Sequence, residues 1–271
     1  MTASAGELSA ADRKALVRAV ECLERRGFAA RLADYAGEPV NRVVRMFPRI
    51  ANDRLNAIVR SSILKCLDWA IGSLGEASAP PATWLSTAMA GVTGGVSGVF
   101  GLAALPIELP LTTTLMLRSI AEIARHQGED LTEISGRLAC VEVFALGGAS
   151  TENNANVGYY ATRTFLARLT GEASAYLMER GLASASAPAV TGFVGEITTR
   201  YGVLVSDKVV AEAVPLVGAL GGAAVNAIFM DHFQRIAEGH FTIRRLERRY
   251  GAATIQRLYA ELADRLKSAN S

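Results

Sequence analysis

The stretch Gly101-Leu-Ala-Ala-Leu-Pro-Ile-Glu108-Leu-Pro110-Leu-Thr-Thr-Thr-Leu-Met-Leu117-Arg118 decides how the chain is read, because it closes the longest run without charge in the molecule. From Ala77 to Ile107 there is no charged side chain over 31 residues, and after Glu108 nine more uncharged residues reach Leu117. Length alone permits a membrane span. Pro80, Pro81, Pro106 and Pro110 interrupt the run, and its middle is Gly, Ala, Ser and Thr rather than Leu and Ile. Membrane helices, however, tolerate Gly and Pro better than soluble ones do. Three readings of residues 77–117 stand open: a buried hairpin of the globule, a membrane-inserting or re-entrant segment, and a true span.

Within the run, Gly91, Gly94, Gly95, Gly98 and Gly101 recur at helical spacing and leave one helix face as bare backbone. A second helix can approach such a face closely. Each glycine costs an isolated helix roughly 1 kcal/mol relative to alanine, so only tight packing compensates for five of them. The device recurs at Pro215-Leu-Val-Gly218-Ala-Leu-Gly-Gly222, where Gly218, Gly222 and Asn226 fall at successive i+4 positions. The spacing predicts two glycine-striped helices packed on each other or on a shared neighbour. Both continue into amphipathic helices carrying an Ile-Ala-Glu triplet, at Ile120 and at Ile236, which hints at an internal duplication.

Glu108 is the only charge between Ala77 and Leu117. A carboxylate in apolar surroundings must be paired, protonated or functional. Arg118 is the first cation downstream, and Lys208 and Asn226 flank the second apolar segment. The expectation is that Glu108 meets Arg118 or Lys208 in the interior, with Asn226 bonded nearby, either as an ion pair fixing helix register or as a ligand or proton site.

Toward the N-terminus, Ser9 and Asp12 have the spacing of a capping box, followed by the periodic Leu16, Val20 and Leu23 up to Gly27. Ile50, Leu55, Ile58, Val59, Leu67 and Ile71 predict a long amphipathic helix over about 48–71. Its polar side and approach carry Arg42, Arg45, Arg49, Arg54, Arg60 and Lys65 against Asp53 alone, a pattern that suits either a solvated face or anionic lipid head groups. Toward the C-terminus, helices are expected at about 131–148, 157–180 and 242–267, with a loop at Ser184 to Pro188. No run shows sustained period-two alternation, so the fold class is all-α, a multi-helix domain with closely packed glycine-rich central helices.

Composition agrees with a buried core: 271 residues, 50% hydrophobic and 20% charged, with mean hydropathy +0.23. A net charge of +2 provides no global field for nucleic acid. Cys22, Cys66 and Cys140 lack CxxC spacing and read as reduced, and nothing near Met1 resembles a secretory signal, so a cytoplasmic chain is expected.

Three ordered motifs, the stretch from Gly101 to Ile120, Glu142-Val-Phe-Ala-Leu-Gly147, and Ala213-Val-Pro215-Leu-Val-Gly218-Ala-Leu-Gly-Gly-Ala-Ala-Val-Asn226, resemble the EcsC protein family. The likeness covers roughly residues 80–260. It implies a bacterial, largely helical protein without an established enzymatic activity, whose namesake is encoded beside a transporter of the ATP-binding cassette type. The chain then divides into N-terminal amphipathic helices, residues 1–75, and an EcsC-like helical domain, residues 76–271, forming one continuous globule.

Other chemistry finds little support. Glu142, Glu152 and Arg163 form a second polar set, with Thr151 as a cap and Tyr159 and Tyr160 opening the next helix. His126, His232 and His240 form no HExxH, so no metal is expected, and Ser97 lacks the last glycine of a GxSxG elbow. No glycine cluster is followed by the lysine of a phosphate loop, and no cofactor is expected. The reading is a non-enzymatic accessory protein, cytoplasmic and peripheral to the inner membrane. An apolar glycine-rich hairpin and arginine-rich helices would attach it to anionic inner-leaflet lipid, with a membrane transporter as a second candidate partner. The alternatives are a lipid or small-molecule binding protein with a cavity beside Glu108 and Arg118, and an enzyme using Glu108 as acid or base.

Overall fold

Ser9 starts the first helix by accepting the Asp12 N–H on its Oγ at 3.1 Å, and α1 (Ala10–Glu24) follows. The computed structural model describes residues 8–24, 27, 28, 30, 31, 53–73, 105–147, 158–180, 187–212 and 222–270. All regular structure among them is helical: after α1 come α2 (Asp53–Ser73), α3 (Leu105–His126), α4 (Ile134–Leu146), α5 (Tyr159–Arg180), α6 (Pro188–Glu212), α7 (Gly222–Tyr250) and α8 (Ala252–Asn270).

Residues 105–117 lie in α3, which runs straight through Pro110, so the two downstream prolines do not interrupt the chain as expected. Pro106 occupies the first turn, where helix N–H groups have no partner anyway. Pro110 forgoes one bond, to the Pro106 carbonyl, at the edge of that same turn. The buried positions Leu105, Leu109, Thr113, Met116, Ile120 and Ala124 then form an unbroken helical stripe. Residues 77–104, with Gly91, Gly94, Gly95, Gly98 and Gly101, lie outside the described residues, as does Gly218; Gly222 is the first residue of α7. No described helix is long and apolar enough to cross a membrane.

The helix expected over 242–267 is two helices. Gly251 breaks it with φ +88°, a left-handed backbone that L side chains resist, so α8 folds back on α7. Helix α6 has no counterpart in the sequence reading, which placed only the loop before it.

Helix α7 is the axis of the assembly. Val225, Phe229, Phe233, Ile236, His240 and Ile243 form its buried stripe. Helix α1 packs along α7 and α8; α3 and α4 pack on α7; α2 lies across α3, α4 and α6; and α5 covers α4 and α6. Phe144 of α4, Tyr201 of α6 and Phe229 and Phe233 of α7 meet with ring centroids 5.0–6.0 Å apart, and Phe28 adds an edge contact to Phe229 at 5.0 Å. One contiguous hydrophobic core takes side chains from α1 and α2 as well as from the helices that follow.

Candidate functional site

Glu108 lies in the first turn of α3, where free amide dipoles favour an anion. Lys208 lies near the C-terminal end of α6, where the opposite dipole favours a cation, and Asn226 follows the first turn of α7. The three ends converge. Lys208 Nζ donates to Glu108 Oε1 at 2.8 Å, and Asn226 Nδ2 donates to the same oxygen at 3.3 Å. Lys208 is fully buried and its ammonium lies 5.9 Å from the Phe229 ring centroid. The Asn226 Oδ1 atom is buried with no partner among the described residues. Beneath the pair, Thr113 and Tyr201 share a hydroxyl contact of 3.0 Å.

Arg118 is not part of this group. It lies ten residues further along α3, a rise of about 15 Å, and pairs with Glu122 on its own helix at 3.5 Å.

The second polar set is regrouped by the fold. Arg163 forks onto Glu247 of α7 with bonds of 2.8 and 2.6 Å, and Tyr160 donates to the same carboxylate at 2.9 Å. Glu142 is buried and accepts from Thr170 at 3.3 Å. Residues 151 and 152 lie outside the described residues.

The arginines at the end of α7 are engaged. Arg244 and Arg248 both bind Glu129, and Arg248 also donates to the Gln127 and Gly128 carbonyls, closing the turn between α3 and α4. Arg245 and Arg249 bind Asp12 at 3.1 Å each, and the Tyr250 hydroxyl joins them at 2.7 Å. On α2, Arg54, Arg60 and Lys65 are exposed outside the buried stripe of Leu55, Val59, Ile63 and Leu67, and so are Asp53 and Asp68. Arg42, Arg45 and Arg49 lie outside the described residues.

Nucleophiles and metal ligands are scarce. Burial pushes the Cys66 thiol up to about 12 and raises that of Cys140 further, so neither presents a thiolate. His232 is held neutral by burial, its pKa lowered to about 4, and its Nε2 lies 3.1 Å from the Gly147 carbonyl. Among the described residues no three His, Cys, Asp or Glu side chains are placed to hold a metal ion.

No curated protein and no solved structure matches the chain. The model of the EcsC protein family matches residues 75–246, more than half of the sequence, taking in the Glu108, Lys208 and Asn226 group together with most of the helices around it. It begins after the basic helix α2 and stops before the break at Gly251. By that match, the chain belongs to the EcsC protein family.

Proposed function

We propose that this EcsC-family chain is a peripheral membrane accessory protein that docks on anionic lipid through the outer face of α2. The observation that carries the reading is the division of basic residues. The arginines of α7 are tied to Asp12 and Glu129 inside the fold, whereas Arg60 and Lys65 stand exposed on a helix whose other face is locked against α3, α4 and α6. Lipid contact then requires no unfolding of the core. Each cation near an anionic surface contributes about 1 kcal/mol, and the exposed Asp53 and Asp68 of the same helix oppose Arg60 and Lys65, so the attachment is weak and reversible. Such attachment is screened by salt. Family membership supports an accessory role beside a membrane transporter, and no step of chemistry is needed for it.

Flotation with anionic and with neutral vesicles, at low and at high salt, tests the reading. The chain should float with anionic vesicles at low salt and be released by high salt. The charge reversals Arg60→Glu and Lys65→Glu together should lower binding by roughly a thousandfold, since each reversal removes one attraction and adds one repulsion of similar size. A protein that stays at the bottom under every condition overturns the proposal.

A further inference from the structure

Three helices each leave a buried hydrogen-bonding atom unmet. Glu142 Oε1 of α4, Thr162 Oγ1 of α5 and His240 Nε2 of α7 have no partner among the described residues. Helix α5, whose buried face carries Tyr159, Thr162 and Thr170, touches the other two helices at points about 16 Å apart along its length. Tyr159 contacts His240 Nδ1 at 2.9 Å, and Thr170 donates to Glu142 Oε2 at 3.3 Å. Unmet polar atoms in an apolar interior are costly, and a carboxylate is the costliest of them. We propose that Glu142 is a proton-binding site between α4, α5 and α7, and that loss of its proton loosens the packing of those three helices.

The surroundings support a neutral carboxyl. The cations that act on Glu142 are Arg244 and Arg163, and each already has a carboxylate of its own, Glu129 and Glu247. Ionised Glu142 therefore adds a charge that no described cation is free to meet, and among the described residues its route to a partner is to draw Arg163 or Arg244 away from the pairs that clasp α5 and the α3–α4 turn to α7. The other titratable groups of the neighbourhood, Arg125 of α3 apart, are uncharged. Burial lowers His240 well below the ordinary histidine value and raises Tyr159 on α5 and Tyr259 on α8, which stacks on it. Cys140 on α4 itself is a neutral thiol, Tyr201 of α6 contacts α4 at Phe144, Cys66 of α2 acts on Tyr201, and Arg125 of α3 acts on Cys140. Burial raises the Glu142 carboxyl from 4.5 to about 7, outweighing the two arginines and the Thr170 bond.

The sign of the effect follows from linkage. A carboxyl whose folded pKa lies above its unfolded one contributes stability that is complete below 4.5 and is lost as pH rises through about 7. Glu142→Gln keeps the shape of the protonated group and cannot lose the proton. Above pH 7 it should therefore be the more stable protein, with the unfolding constant of the wild type larger by on the order of a hundredfold relative to the comparison below pH 4.5. His232 and His240 titrate in the opposite sense but are common to both proteins, so the comparison isolates Glu142.

Urea unfolding of the two proteins across this range is one measurement. Infrared spectroscopy of the folded wild type is the second and does not depend on the variant folding: a protonated-carboxyl C=O band should persist up to about pH 7 and then vanish. Thr170→Val removes a bond that favours the carboxylate, so it should move the loss of that band to higher pH. A Glu142 band lost near 4.5, or a wild-type and Glu142→Gln difference that is the same at every pH, overturns the proposal.

Discussion

At the scale of single residues, the Glu108–Lys208 pair shows why a lone carboxylate in an apolar run is informative. Its isolation between Ala77 and Leu117 demands a partner, and the sequence narrows the choice to Arg118 or Lys208. Which of them reaches it depends on where the end of α6 falls relative to the start of α3, which no local pattern encodes. Arg118, about 15 Å up the same helix, could never have reached once the segment is helical from Leu105. The pair predicts an asymmetric response. Glu108→Leu leaves an ammonium in full burial and should cost roughly 3–5 kcal/mol, whereas Lys208→Met leaves a carboxylate at a helix N-terminus and should cost less. The double variant should recover part of the Glu108→Leu loss. Urea unfolding of the four proteins measures the coupling; purely additive losses would mean that the contact contributes nothing of its own.

At the scale of elements, glycine has two opposite roles on helices here. Gly239 is where α1 and α7 meet: a Cβ added there would lie 2.7 Å from Leu23 Cγ and 3.0 Å from the Ala19 carbonyl oxygen. Gly171, on the exposed side of α5, faces open space. Gly239→Ala should therefore destabilise by roughly 1–3 kcal/mol despite its better helix propensity, while Gly171→Ala should stabilise by up to about 1 kcal/mol. Thermal unfolding of both variants separates steric from entropic effects. Most helices were legible because their apolar residues recur at helical period, as with Leu16, Val20 and Leu23 of α1. Helix α6 was not, because Val, Phe, Gly and Thr are spread around it and core lies on more than one side, so no single stripe stands out. The break at Gly251 was hidden because a lone glycine inside a helical pattern is tolerated, and only its left-handed backbone ends the helix here. The prolines misled in the other direction, since their cost depends on position and α3 places both in or beside its first turn.

At the scale of the whole molecule, a net charge of +2 conceals a fold held together by long-range ion pairs. Asp12 and Glu129 bind arginines more than a hundred residues away in sequence, and the engagement of those arginines, as opposed to the exposure of Arg60 and Lys65, could not be read from spacing. Asp12 is the best probe of this clasp. The Tyr250 hydroxyl bond is the largest influence on its carboxyl; with Ser9, Arg245 and Arg249 it outweighs the opposing effect of burial and holds the carboxyl below its ordinary value of 3.8. A depressed carboxyl contributes stability that is present above 3.8 and is lost as pH falls through its folded value. The histidines act earlier, because His232, lowered by burial from 6.5 to about 4, resists a proton that the unfolded chain accepts and so removes stability as pH drops through that interval. Acid unfolding should then have two limbs, and Asp12→Asn should discriminate between them. Its deficit against wild type should be constant across the histidine limb and shrink only as pH falls below 3.8, where the wild-type carboxyl is itself protonated. Added salt should shrink the deficit at neutral pH, because Arg249 is largely exposed. A deficit unchanged by either acid or salt would assign the clasp to shape and hydrogen bonding, and the charge of Asp12 would then have no part in docking α1 onto α7.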